Sequence, residues 1–241
     1  MNKIKLFKAL TGTKETQWYK MEAKSQEIAD IFIYDEISWF GISANQFVKD
    51  LNAIKSKTIR LHLNSPGGSV FDGVAIYNAL KQHSAKIETY IEGLAASIAS
   101  IIALAGDKVY MADNAFFMIH EPWILTIGDS TELRKTAELL DKIRGTLVNT
   151  YIKKTGKDEA QVTKWVKDET WFTAAEAKEA GFIDEITDKV DAEASYDLSI
   201  FDNVPETLLK EFEQNSEPET KIENKTRQFR ESMRMRLELE I

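Results

Sequence analysis

The sequence contains no cysteine and few of the residues that most often bind metals. Its 241 residues include only three histidines, His62, His83 and His120. The absence of cysteine excludes disulfide bonds, thiolate metal sites and a cysteine nucleophile, and it fits a reducing compartment. Because the histidines show neither an HExxH motif nor another ligand spacing, we expect no metal site.

The chain also lacks an excess of positive charge and a long hydrophobic run. Its formal net charge is -8 at pH 7, which does not suit a protein that binds nucleic acid or an anionic membrane. The longest apolar run, near Ile98 to Ala105, is far too short to span a bilayer. The first twenty residues contain no apolar signal-peptide core. We therefore expect a cytoplasmic protein that binds neither nucleic acid nor membranes.

What the sequence does contain is a regular alternation of strand-like and helical segments. "EIADIFIYDEI" and "TIRLHLN" alternate as strands do, whereas "FDGVAIYNALKQH" has apolar residues at helical spacing. A long amphipathic helix is predicted from Asp129 or Ser130 to Gly156. This order of elements predicts a layered α/β fold with right-handed crossovers.

The composition changes along the chain and predicts three regions. Residues 1–25 are polar, residues 26–192 carry the α/β pattern, and residues 193–241 are highly charged and poor in aromatic residues. We interpret the last region as an appendage, either partly disordered or forming one marginal helix.

One serine stands where a strand gives way to a helix. Ser97 lies in "EGLAASIAS", preceded by small residues that leave room for a substrate. The helix N–H groups behind it can stabilise a developing oxyanion, which would suit a nucleophile. The alternative interpretation is an ordinary N-cap, in which the hydroxyl accepts a hydrogen bond from a helix N–H.

Two further features suit nucleophilic catalysis if they lie near Ser97. In "SPGGSV", Gly68 can present a bare backbone N–H to a substrate carbonyl, although the stretch also fits an ordinary type II turn. His120 ends the apolar strand "AFFMIH". Histidine is the usual general base for serine, although a histidine at such a position is often only a core residue.

Taken together, these stretches resemble one known family. "LNSPGGSVFDGVAIYNAL", "GLAASIASIIALAG", "FFMIHEPW" and "TAAEAKEAGFIDEI" are similar, in order and spacing, to the proteolytic subunit of Clp protease. The resemblance covers about Glu27 to Asp188. "GSVFDGVAIYNAL" and "ETWFTAAEA" resemble its phage branch, the head maturation proteases. The resemblance implies a ClpP/crotonase-type α/β fold with a long protruding handle helix.

The resemblance also implies roles for individual residues. Ser97 matches the nucleophile and His120 the general base, while the backbone N–H groups of Gly68 and Ile98 match the oxyanion hole. Such an enzyme attacks a scissile peptide carbonyl and passes through an acyl-enzyme. It needs neither a metal nor an organic cofactor.

The third catalytic residue remains open at this level. Counting back from Phe172 reaches Thr170, and counting forward from Gly156 reaches Glu169, so the spacing departs by one residue from the pattern of the family. We assign the acid to Asp168, with Glu169 as a close alternative. If Thr170 occupies the position, no acid contacts the histidine.

The resemblance implies three alternatives for function. The first is a serine endopeptidase that trims capsid or scaffold proteins during phage head maturation. The second is a Clp proteolytic subunit that receives unfolded chains from an AAA+ ATPase. The third is a weakly active scaffold or assembly protein. A homo-oligomer, as a heptameric ring or stacked rings, is implied in either of the first two cases.

Overall fold

A mixed sheet of eight strands forms the centre of the described part of the protein. The structure, a computed structural model, describes residues 18–37, 43–190, 198 and 200–208. The strands are β1 (Tyr19–Ala23), β2 (Ile28–Ile33), β3 (Thr58–Ser65), β4 (Lys86–Ala96), β5 (Lys108–Ala112), β6 (Phe116–Ile119), β7 (Thr170–Thr173) and β8 (Glu185–Thr187).

The sheet divides at β4 into two branches. Its main path is β1-β2-β3-β4-β5-β8, in which β1 is antiparallel to β2 and the other neighbours are parallel. The first half of β4 pairs with β5, whereas its last three residues, Leu94 to Ala96, pair in parallel with β6. Strand β7 then pairs antiparallel with β6. This branch brings the end of β4 next to the end of β6.

In the described ranges, six helices connect and cover the strands. They are α1 (Ala44–Ala53), α2 (Val70–Gln82), α3 (Ile98–Ala103), α4 (Ser130–Thr155), α5 (Glu159–Lys167) and α6 (Ala174–Ala180). The predicted long helix is confirmed: Asp129 and Glu132 form a capping box at its start, and Gly156 ends it at a φ of 68°. A second capping box, formed by Thr173 and Glu176, starts α6.

The buried apolar residues of strands and helices form one continuous core. The central parallel strands contribute nearly continuous apolar faces, with Ile31, Ile33, Leu61 and Leu63 fully buried. Phe47 from α1 packs against this core. In the described part of the chain, no helix is both long enough and apolar enough to cross a lipid bilayer.

One compact unit holds the sheet. It runs from Glu15 to Pro205 and includes β1, an edge strand that we did not predict. The second unit consists of Met1–Lys14 and Glu206–Ile241, and only residues 206–208 of it are described. Most of the predicted appendage therefore lies outside the described residues.

Candidate active site

Three parallel strands end at the same edge of the sheet, and each is followed by a residue or turn singled out from the sequence. Strand β3 ends at Ser65 and leads into the glycine turn, β4 ends directly before Ser97, and β6 ends directly before His120. Because β4 pairs with both β3 and β6, the three ends lie side by side. Carboxyl ends of parallel strands are the usual place for a functional site.

Ser97 has an unusual backbone conformation at the turn from β4 into α3. Its φ is 54° and its ψ is -128°, and among the described residues only Ser97 and Glu169 have a positive φ without being glycine. Such a conformation costs on the order of 1–3 kcal/mol and is characteristic of functional sites. Here the sharp turn makes room for the side chain between strand and helix.

The Ser97 hydroxyl is hydrogen-bonded to His120. The distance between Ser97 Oγ and His120 Nε2 is 2.8 Å. The hydroxyl forms no capping hydrogen bond with α3, so Ser97 does not act as the ordinary N-cap that the sequence left open. The structure thus brings Ser97 and His120 together, as a nucleophile and a general base require.

A buried hydrogen-bond chain supports the main chain of Ser97. Ser100 Oγ lies 2.5 Å from the Ser97 carbonyl oxygen, to which it donates, and 2.7 Å from the hydroxyl of Tyr151 on α4. The Ser97 N–H donates to the Met118 carbonyl on β6 at 3.0 Å. These bonds fix the strained turn from both sides. Burial raises the pKa of Tyr151, which therefore stays neutral.

His120 is partly buried, and three carboxylates lie near enough to act on it. Burial lowers the pKa of His120 below its ordinary value, and the negative charges of Glu169, Asp202 and Glu121 oppose that shift. A lowered pKa keeps the imidazole neutral, and therefore able to accept a proton, at neutral pH.

The structure does not bring Asp168 to the histidine. Asp168 ends α5, and its exposed carboxylate pairs with Lys164 one helical turn earlier. The Thr170 hydroxyl is also engaged elsewhere, because it donates to the Trp165 carbonyl oxygen at 2.7 Å. Neither of these two candidates is among the groups whose charge acts on His120.

Glu169 is the candidate that the fold places beside His120. Ile119 on β6 and Thr170 on β7 form the last pair of this ladder, and His120 directly follows Ile119 while Glu169 directly precedes Thr170. The Glu169 backbone has a φ of 47°, which a side chain tolerates only where the surroundings enforce it. Within the described ranges, the His120 ring forms a hydrogen bond only with Ser97, so Glu169 acts on it here through charge.

The glycine turn lies directly against Ser97. A Cβ on Gly67, whose φ is 101°, would lie 2.7 Å from Ser97 Cβ and 3.1 Å from the Ile98 nitrogen. The Gly67 N–H is already used by Ser65 Oγ, whereas the Gly68 N–H donates to no acceptor among the described residues. Ile98 is the first residue of α3, so its N–H has no acceptor within the helix. The two N–H groups predicted for the oxyanion hole therefore remain available.

The other histidines lie away from this cluster. His62, for which the sequence indicated no role, stacks between Phe32 and Tyr90 on one face of the sheet. His83 follows α2, and its Nδ1 accepts a hydrogen bond from the Ala85 N–H.

Sequence reasoning missed the aromatic side chain that covers His120. Phe201 packs its ring against the imidazole at a centroid distance of 5.4 Å. It lies in the region that composition predicted to be an appendage. The only signal for burial there was a short apolar cluster around Leu198 and Phe201 within the charged stretch.

Comparison with known proteins agrees with this geometry. A sequence model of the Clp protease family matches residues 13–190. The ATP-dependent Clp protease proteolytic subunit 1 of Protochlamydia amoebophila is 33% identical over 164 residues, which cover 65% of this chain and 79% of that protein. A proteolytic subunit from Streptococcus pneumoniae is 38% identical over 135 residues, which cover 54% of this chain and 69% of that protein.

A solved structure shows the same fold. A ClpP1 mutant from Listeria monocytogenes superposes with a TM-score of 0.59 and 26% sequence identity, covering 67% of this chain and 92% of that one. The mixed α/β architecture predicted from the sequence is thereby confirmed. On the match over residues 13–190, the chain belongs to the Clp protease family of serine peptidases.

Proposed function

We propose that the chain is a serine endopeptidase that cleaves polypeptides through an acyl-enzyme formed on Ser97. The observation that carries this proposal is the 2.8 Å contact between Ser97 Oγ and His120 Nε2. It occurs at a serine whose backbone is strained and whose hydroxyl serves no capping role. A structural serine at a helix start would have neither property.

In the proposed reaction, His120 moves one proton back and forth. Nε2 takes the proton of the Ser97 hydroxyl as Oγ bonds to the scissile carbonyl carbon. It then gives that proton to the leaving amine as the C–N bond breaks. A water molecule, activated by the same nitrogen, hydrolyses the ester and restores both side chains. The lowered pKa of His120 suits the first step, because the free imidazole is neutral at neutral pH.

The Gly68 and Ile98 N–H groups would stabilise the oxyanion in this reaction. The Gly67 backbone approaches both Ser97 and the Ile98 nitrogen closely, and Gly68 follows it in the turn. Backbone donors of this kind need no reorganisation as the negative charge develops.

For the acid we propose Glu169 in place of Asp168. Glu169 directly precedes Thr170, which pairs with Ile119 next to His120, and its charge is the leading one that raises the pKa of the imidazole. Asp168 is instead paired with Lys164 in solvent. An acid at this position holds the imidazole tautomer and stabilises the imidazolium.

We also propose that the enzyme acts as a homo-oligomer, as a heptameric ring or stacked rings. Large apolar side chains are exposed together along the loop after His120 and the first half of α4, namely Trp123, Ile124, Leu125, Ile127, Leu133 and Leu139. Helix α4 buries residues such as Leu147, Val148 and Tyr151 only near its C-terminal end. Exposed apolar side chains that lie close together in the chain are typical of a protein–protein interface.

For the biological setting, we propose the trimming of capsid or scaffold proteins during phage head maturation. Two observations support this setting. The stretches "GSVFDGVAIYNAL" and "ETWFTAAEA" resemble the phage branch of the family, and a long region follows the family match. The names of the relatives, ATP-dependent Clp protease proteolytic subunits, favour a second setting with an AAA+ ATPase. Cleavage of a folded substrate only when a Clp-type ATPase and ATP are added would favour the second setting.

The proposed activity is tested by cleavage of a fluorescently labelled unfolded protein such as casein. We expect the wild-type chain to release labelled peptides, and Ser97→Ala and His120→Ala to lower the rate at least about 10³-fold. Ser130→Ala, on the exposed start of α4, serves as the control and should retain the full rate. Equal rates in wild type and Ser97→Ala would contradict the proposal and favour the scaffold alternative.

A further inference from the structure

A short segment beyond the family match contacts the candidate active site. The match ends at residue 190, whereas residues 200–205, here called the C-terminal segment, belong to the same compact unit as the sheet. Phe201 within it is only 6% exposed. A segment that buries an aromatic ring so fully is held in place by the site that it covers.

Phe201 forms one side of the environment of His120. Its ring meets the imidazole edge-on, with centroids 5.4 Å apart and planes at 77°. On the other side it meets the indole of Trp171 at 5.6 Å and 82°. Edge-to-face contacts of this kind contribute about 0.5–1.5 kcal/mol each beyond the area that they bury. Phe201 thus fills the space between the histidine and the strand that follows Glu169.

The backbone next to Phe201 holds both oxygens of the Glu169 carboxylate. The Asn203 N–H donates to Oε1 at 2.7 Å, and the Asp202 N–H donates to Oε2 at 3.1 Å. Trp171 Nε1 adds a longer bond to Oε1 at 3.3 Å. The Asn203 side chain also donates to the Asp168 carbonyl oxygen at 3.1 Å, so the segment is fastened to the chain on both sides of the acid.

A glutamate at this position needs such support. Fixing a side chain as flexible as glutamate costs up to about 2 kcal/mol of rotamer entropy. Main-chain N–H donors are rigid and their bonds to a carboxylate are charge-assisted. They therefore restrict the carboxylate to the neighbourhood of His120, where its charge acts on the imidazole.

We propose that the C-terminal segment is a positioning element of the catalytic site: Phe201 and the N–H groups of Asp202 and Asn203 hold Glu169 beside His120. This inference rests on the proposed function, because Glu169 has a catalytic role only if His120 acts as the general base. It adds residues from outside the region that the family match covers.

The opposite arrangement would be an inhibitory one. If the segment kept Glu169 away from the ring nitrogen of His120, loosening the segment would speed catalysis. Positioning and inhibition therefore predict rate changes of opposite sign, which makes them separable by one measurement.

The test is the rate at which a fluorophosphonate labels Ser97 in the full-length chain, measured from pH 4.5 to 9. The critical pair is Asn203→Pro, which removes the N–H bonded to Glu169, and Asn203→Ala, which keeps it. Phe201→Ala is the second variant, and Ile200→Ala, at a partly exposed neighbouring position, is its control.

We expect Asn203→Pro to lower the plateau rate at least about tenfold relative to Asn203→Ala, which lacks the same side-chain bond to Asp168. Phe201→Ala should lower the rate at least about tenfold, and Ile200→Ala should stay within about threefold of wild type.

In Asn203→Pro the acid limb should also move to lower pH, because His120 keeps the charges of Asp202 and Glu121 but loses the nearby charge of Glu169, which raises its pKa. In Phe201→Ala the loss of burial raises the pKa of His120 and opposes this shift, so the midpoints are compared within the Asn203 pair. A purely structural role would not move this midpoint. Thermal melting shows which variants are folded. If Phe201→Ala is unfolded, the comparison of Asn203→Pro with Asn203→Ala decides alone.

Other results would overturn the inference in distinct ways. Faster labelling of Asn203→Pro and Phe201→Ala would show that the segment inhibits. Unchanged rates and midpoints in folded variants would show that it plays no part in catalysis. If the wild-type chain is not labelled at any pH, the proposed protease function itself fails, and the inference fails with it.

Discussion

At the scale of single residues, backbone strain marks the site. Among the described residues that are not glycine, only Ser97 and Glu169 have a positive φ. Both act on His120, Ser97 through a hydrogen bond and Glu169 through its charge. Each costs on the order of 1–3 kcal/mol that packing elsewhere must offset. Ser97 is held by its bonds to β6 and Ser100, and Glu169 by the C-terminal segment.

The exchange of the two neighbouring acids for amides tests which one is catalytic. We expect Glu169→Gln to lower kcat about 10²–10⁴-fold, because an amide does not stabilise the imidazolium. Asp168→Asn removes only an exposed pair with Lys164 and should keep kcat within about twofold. Steady-state kinetics on a peptide substrate provide the comparison. A large loss in Asp168→Asn with little change in Glu169→Gln would return the role to Asp168.

The pH dependence follows from the state of His120. Because burial holds its pKa below the ordinary value, activity should fall only as the pH drops through that lowered pKa, with a midpoint below about 6.5. In Glu169→Gln the residual activity should show a midpoint at still lower pH, since a charge that raises the pKa is gone. A midpoint above that of free histidine in the wild-type enzyme would contradict this assignment.

Sequence reasoning could find Ser97 and His120 but not the acid. The first two lie in apolar stretches whose spacing is distinctive, and each directly follows a strand that was predicted. Both candidate acids lie in the two-residue turn between α5, which ends at Lys167, and β7, which begins at Thr170. Glu169 has a positive φ in this turn, and the C-terminal segment binds its carboxylate. Neither feature can be read from the composition or from the hydrophobic pattern.

At the scale of secondary-structure elements, the division of β4 creates the site. Its first half pairs with β5 and its last residues with β6, and only the second pairing brings Ser97 to His120. The helices were predictable because their caps are explicit, as in the capping boxes of α4 and α6. Strand β1 was not predictable, because "YKMEA" is short, polar and at the edge of the sheet.

A buried ion pair joins β2 to β3 near the edge of the sheet. Asp30 on β2 is only 1% exposed and receives two hydrogen bonds from Arg60 on β3, at 2.7 and 3.0 Å, with Lys24 as a further partner. Burial alone would raise the pKa of Asp30, but the hydrogen bonds from Arg60 and Lys24 outweigh it, and the pKa lies below its ordinary value.

Replacement of Asp30 by asparagine should reduce the stability of the sheet. We expect the free energy of unfolding to fall by about 3 kcal/mol at pH 7, because Arg60 loses its partner. In the wild type, the stabilisation is complete above the unfolded pKa of about 3.9 and is lost as the pH falls through the lower folded value. Denaturant unfolding at several pH values measures both effects. If Asp30→Asn unfolds at the same denaturant concentration as wild type, the ion pair of Asp30 with Arg60 does not contribute to the free energy of unfolding.

At the scale of the whole molecule, the exposed apolar surface indicates an assembly. Ile127 is 86% exposed and Leu125 is 61% exposed, and both lie in the loop that joins His120 to α4. The loop therefore connects the proposed general base directly to the proposed interface. Assembly would bury this loop next to His120, which gives a physical reason for activity to depend on oligomerisation.

A charge placed on this surface should dissociate the assembly. We expect Ile127→Glu and Leu133→Glu to shift the protein to smaller species in analytical ultracentrifugation, because a buried unpaired charge is costly at an interface. Gln82→Glu adds the same charge on an exposed position of α2 and should leave the assembly intact. A wild-type chain that sediments as a monomer at micromolar concentration would contradict the ring proposal.

The central claim is that the Ser97 hydroxyl is a nucleophile that His120 activates. Its most direct test is mass spectrometry of the protein after reaction with a fluorophosphonate, with the modified residue mapped by proteolysis. We predict one adduct per chain, located on Ser97, and its loss in both Ser97→Ala and His120→Ala. An adduct on another residue, or undiminished labelling of Ser97 in His120→Ala, would contradict the account.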